Sequence, residues 1–149
     1  MKGFPDLPPL WLLLFMAMAW ALARIGPLAV ASAGALQFFG GAVGLVGLCL
    51  IGWSAYWFRR RNTTIEPHHT PGALIVEGPY RISRNPIYLG LVLILTGQVL
   101  WLGALSPAAL PPILLVILTE RFVKPEEAAL QSAFGRAARD YLSATRRWI

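Results

Sequence analysis

Cysteine is nearly absent: Cys49 stands alone inside an apolar run. That excludes a disulfide framework and a cysteine-type metal cluster, and it leaves Cys49 as a small apolar filler. Charge is scarce as well, at 13% of 149 residues against 56% hydrophobic, a balance well outside that of soluble globular chains. Acidic residues number seven against 13 lysines and arginines. Every one of these charges lies at the edge of an apolar run or between runs. A proton-coupled exporter would place an ionisable group deep within a span, so a small transporter or scaffold is the weaker of two classes. A glycine-rich dinucleotide fingerprint is missing too, which counts against a nicotinamide-dependent reductase. His68 and His69 have no further ligands at metal-binding spacing, so no metal is expected.

What is present is apolar length. Runs over about 7–23, 28–57, 87–102 and 109–122 read as about four transmembrane helices, giving an all-α integral membrane fold in a single domain, 1–149. The first run follows Lys2 as a signal peptide would, but bulky Trp11, Phe15 and Trp20 and the immediate second run make it a span. The second exceeds a hydrocarbon core of about 30 Å and should tilt or protrude. Its Gly40-to-Gly44 spacing permits close helix approach, within one chain or in a helix-mediated dimer, so monomer and dimer both stay open. Runs three and four are short and closely joined, which predicts an antiparallel hairpin with Pro111 and Pro112 early in its second arm.

With the N-terminus inside, twelve basic residues from Lys2 to Arg147 are cytoplasmic and Arg24 alone is outside. The loop 58–86 and everything after Phe122 then share one face with both histidines and all the acids. The expected location is a bacterial or archaeal cytoplasmic membrane with the site on the cytoplasmic side. Because the basic residues flank apolar runs, membrane lipids are the expected partner and nucleic acid is not. Arg59, Arg60 and Arg61 read as anchors. A tail helix over 125–145 follows, with Pro125 in its first turn, Glu126 and Glu127 beside the positive dipole end, and apolar residues from Leu130 to Leu142 at helical intervals. It is predicted to be amphipathic and to lie along the membrane surface.

Two stretches carry chemistry. Glu77-Gly78-Pro79-Tyr80-Arg81-Ile82-Ser83-Arg84-Asn85-Pro86-Ile87-Tyr88-Leu89-Gly90 leads into the third run, and Glu126-Glu127 follows the fourth. A hairpin brings them together. With Leu130, Phe134-Gly135, Tyr141 and Arg147-Trp148-Ile149, they make the part from Thr64 onward resemble the isoprenylcysteine carboxyl methyltransferase and phospholipid N-methyltransferase superfamily. The resemblance implies methyl transfer from S-adenosylmethionine to a lipophilic acceptor, an isoprenylcysteine-type carboxylate first and a lipid amine as the alternative. It implies cofactor contacts from Tyr80, Arg84, Asn85, Pro86, Tyr88, Glu126 and Glu127, with Glu127 and Arg84 as catalytic residues. These side chains supply carboxylates, a cation and aromatic walls for a ligand that is both charged and flat. Gln98, a polar residue within run three, and Arg121, at the end of run four, are candidates for the acceptor. The chain departs from the superfamily pattern at Asn85, Gly72 and Ala138, where histidine, histidine and tyrosine are frequent. Asn85 hydrogen-bonds but carries no proton at neutral pH.

Overall fold

A computed structural model describes residues 7–28, 34–61 and 73–149, and every regular element among them is helical. Lys2, His68, His69 and Gly72 lie outside the described residues, as does part of the loop 58–86. The helices are α1 (Pro8–Ile25), α2 (Gly34–Arg60), α3 (Pro86–Leu102), α4 (Leu110–Leu118) and α5 (Lys124–Ala144). A 3-10 turn, Gly78–Arg81, precedes α3, and a π turn, Thr119–Val123, joins α4 to α5. Prolines stand in the first turns of α1, α3 and α4, where the missing N–H removes no helical bond. Both α1 and α2 are long and apolar enough to cross a membrane. By contrast α3 is apolar but 17 residues long, and α4 has nine.

Helix α3 is the centre of the arrangement, with α2 on one side and α1 and α4 on the other. Leu12, Phe15 and Ala19 of α1 meet Tyr88, Leu91, Val92, Leu95 and Val99 of α3 and Leu110, Leu114 and Leu118 of α4 in one apolar cluster, closed by Phe122 and Val123. The α2–α3 contact adds direct backbone approach to the packing of Ile51, Ile94 and Trp101. A Cβ on Gly97 would stand 2.6 Å from the Gly40 carbonyl oxygen and 2.6 Å from the Gly44 nitrogen. One on Gly47 would stand 2.6 Å from the Gly90 oxygen, so the two backbones touch at two levels. This backbone approach is the closest contact between α2 and α3.

The described helices differ in detail from the expected bounds. Leu28 lies outside helix and α2 runs from Gly34 to Arg60, past the expected end at 57, because its terminal arginines continue the same turn. The tail helix does not start afresh at Pro125: Val123 is itself helical (φ −63°, ψ −49°), and the chain passes through the π turn without a break. Glu126 and Glu127 therefore have no free helix end beside them, and the dipole argument for their placement falls. Finally, α5 kinks at Gly135 (φ 53°, ψ −117°), a conformation closed to residues with a Cβ.

Candidate active site

The segment before α3 is shaped by a glycine. Gly78 has φ +59°, and a Cβ there would overlap the indole of Trp57 at 2.0 Å. Only glycine lets the chain turn beneath the end of α2. The turn then buries Tyr80, whose ring meets Phe58 edge-on at 5.8 Å. Tyr141 of α5 donates from its hydroxyl to the Tyr80 carbonyl at 2.9 Å. Burial raises the pKa of the Tyr80 phenol and pushes that of Tyr141 up to about 12, so both stay protonated.

The next three residues hold the C-terminal end of the chain. Ser83 Oγ donates to the Arg147 carbonyl (3.2 Å) and accepts the Asn85 N–H (3.1 Å), while Asn85 Nδ2 donates to the same carbonyl (3.1 Å). The Arg84 N–H donates to the Arg146 carbonyl at 3.0 Å. Its guanidinium spends all three nitrogens on the chain itself: Nε on Thr145 O (2.6 Å), Nη2 on Leu142 O, and Nη1 on Glu127 Oε1 (3.0 Å).

Glu127 is 8% exposed and sits between two arginines. Arg147 completes the pairing in bidentate form, Nε to Oε1 at 3.0 Å and Nη2 to Oε2 at 2.7 Å. Burial alone would raise the carboxyl's pKa, but the hydrogen bonds and charges of Arg147 and Arg84 outweigh it and hold the group below its ordinary range. The same bond raises the pKa of Arg147. Glu126 has the opposite environment. Tyr88 Oη donates to its Oε1 at 2.5 Å, and burial lifts its pKa above the ordinary value despite that bond. Two adjacent carboxyls are thus driven apart, one a neutralised strut and the other reluctant to ionise without a cation nearby.

Tyr80, Arg84, Asn85, Pro86, Tyr88, Glu126 and Glu127, singled out from sequence, converge where the start of α3 meets the start of α5. Gln98 and Arg121 do not join them. Gln98 lies ten residues, about 15 Å, along α3 from Tyr88 and donates to the Met16 carbonyl of α1 at 3.1 Å. Arg121 stacks its guanidinium on Trp11, 5.3 Å from the ring centre. Among the described residues no group of three or more His, Cys, Asp or Glu side chains is placed to hold a metal.

A family model described as phospholipid methyltransferase matches residues 35–137, which span α2 to the middle of α5 and include both carboxyls. The chain belongs to the phospholipid methyltransferase family. This family lies within the superfamily that the motifs resemble, and it indicates a methyltransferase; with the two long apolar helices it also points to membrane association. Comparison with curated proteins and with solved structures finds no match. The family match begins upstream of Thr64, where the motif resemblance starts, and ends before the Arg147 block. Sequence reasoning left Arg147 between closing the site and seating the tail at the interface, and it gave Ser83 no role. Arg147 carried a signal in the closing Arg-Trp-Ile block; Ser83 carried none, since its role rests on a carbonyl 64 residues away.

Proposed function

We propose that this protein is an integral membrane methyltransferase that uses S-adenosylmethionine to methylate a lipophilic amine at the cytoplasmic face. In this reading residues 1–149 form one domain: α1, α2, α3 and the α4 arm give four membrane crossings with the N-terminus inside, and α5 lies along the surface. One observation carries the reading. Among the described residues, Glu126 is the site carboxyl without an arginine partner, whereas Glu127 is neutralised twice. A half-buried carboxyl with a raised pKa is stabilised as an anion when a cation arrives.

The residues present fit the cofactor. Glu126 would hold its cationic part, with Tyr88 fixing the carboxyl's direction. The first-turn amides of α3 suit its carboxylate, since a helix start carries unpaired N–H groups. Tyr80 and Tyr88 supply aromatic walls. When bound, the cofactor supplies an activated methyl group. Arg84 and Glu127 act by keeping the tail closed over the start of α3. This differs from the direct catalytic role expected for that pair.

A carboxylate acceptor of the isoprenylcysteine type would need a free cation. Arg84 and Arg147 are both engaged by Glu127, and that favours the amine. The test is calorimetric titration of S-adenosylmethionine into detergent-purified protein, beside Glu126→Gln and Tyr88→Phe. Saturable binding, lost in the first variant and weakened in the second, is the expected result. Absence of binding to folded wild-type protein overturns the reading. Transfer of labelled methyl to a prenylcysteine carboxylate in preference to a lipid amine would overturn the choice of acceptor.

A further inference from the structure

Among the described residues four buried side chains are strongly polar: Ser54, Ser83, Asn85 and Glu127. Ser83, Asn85 and Glu127 belong to the clasp at the start of α3. Ser54 comes instead from α2, within a candidate membrane span, where a polar group pairs with a neighbour or lines a cavity. Its Oγ donates to the Leu50 carbonyl at 2.7 Å, as a serine inside a helix can do toward the preceding turn. That bond spends the one hydroxyl hydrogen and leaves the oxygen able to accept.

The helical period decides what the oxygen faces. Ser54, Trp57 and Phe58 share one face of α2, and that face meets the turn Gly78–Arg81. Trp57 lies against Gly78, and the Phe58 ring meets that of Tyr80 edge-on at 5.8 Å. One turn further back on the same face, Ser54 is the hydrogen-bond neighbour of the Tyr80 phenol. Burial keeps that phenol protonated, so it has a hydrogen to give. The other restraints on Tyr80 act elsewhere: Tyr141 bonds its backbone carbonyl and Phe58 meets its ring. The phenol also stands within electrostatic reach of Glu126 and of Tyr88. Ser54 is thus placed to act on the end of Tyr80 that lies nearest the unpaired carboxyl.

We propose that Ser54 is a positioning residue of the site: its Oγ accepts the hydrogen bond of the Tyr80 phenol and fixes that ring as the wall beside Tyr88 and Glu126. What the wall receives rests on the cofactor reading; the bond itself does not. A phenol whose hydrogen is spent on Ser54 has only lone pairs left to offer, which suits a cationic ligand. The test reads the pair with and without cofactor. In full-length protein carrying 3-fluorotyrosine in nanodiscs, Tyr80→Phe identifies the fluorine resonance of residue 80. Ser54→Ala should shift that resonance in the ligand-free protein and leave that of Tyr56, which is exposed, in place. Calorimetry should then show S-adenosylmethionine binding roughly fivefold weaker in Ser54→Ala, the ratio that one neutral hydrogen bond produces. Adding Ser54→Ala to Tyr80→Phe should cost nothing more, whereas a serine that only packs the helix would weaken both backgrounds alike. An unmoved Tyr80 resonance overturns the proposal, and so do equal losses in the two backgrounds. A shifted resonance in a wild type that binds no S-adenosylmethionine would overturn the cofactor reading and leave the Ser54–Tyr80 bond standing.

Discussion

Replacing Arg84 with methionine keeps an unbranched hydrocarbon stem and removes three donors that tie α5 and the tail to the start of α3. A hydrogen bond from a charged donor contributes about 1.5–3 kcal/mol, and breaking a buried ion pair costs about 3–5 kcal/mol. Three bonds made by one side chain do not simply add. Ser83 and Asn85 still hold the Arg147 carbonyl, and Arg147 still holds Glu127. Arg147 is 39% exposed, so solvent screens its share. These considerations place the cost at the lower end, about 3 kcal/mol, and confine it to the tail. At about 1.4 kcal/mol per tenfold, opening of residues 142–147 should become roughly a hundredfold more frequent. Hydrogen exchange read by mass spectrometry in nanodiscs measures this directly, with α3 peptides as the internal reference. Loss of protection in the tail with α3 unchanged is expected, and Arg84→Lys should recover only part of it because an ammonium lacks the guanidinium fork. Unchanged tail protection, or equal loss along α3, would refute the view of Arg84 as the clasp between these two segments.

Substitutions at the two glutamates should act in opposite directions at neutral pH. Glu127 has a lowered folded pKa, so its ion pairs stabilise fully above the unfolded value of about 4.3 and lose their effect as pH falls through the folded one. Glu127→Gln should therefore lower the thermal midpoint at pH 7 and flatten its decline on acidification, as differential scanning fluorimetry will show. Glu126 has a raised folded pKa, so its ionisation opposes folding above the unfolded value, with the full cost reached once pH passes the folded one. Glu126→Gln should leave the midpoint equal or higher at pH 7, yet abolish calorimetric cofactor binding. Along the α2–α3 contact, Gly97→Ala drives a methyl into three backbone atoms and should cost about 1–3 kcal/mol, whereas Gly44→Ala should be close to neutral; melting the two variants side by side compares them.

Much of this architecture was legible without coordinates, because the forces behind it are local. Apolar runs bounded by charge specify helices, and a proline after Asn85 begins α3 wherever that helix goes. The family motif located the strip Tyr80–Tyr88 and the glutamate pair, since those residues stand in order along the chain. The division of labour between Glu126 and Glu127 could not be read the same way. Identical in type and adjacent in sequence, they differ only in what reaches them: Tyr88 meets one, and Arg84 with Arg147 meets the other. The π turn added to this, because it changes the angular advance between α4 and α5 and so sets where each side chain points. A sequence determines charge, helical period and chain order, while the pKa of a carboxyl depends on neighbours brought close by folding, and those neighbours here lie 20 to 43 residues away.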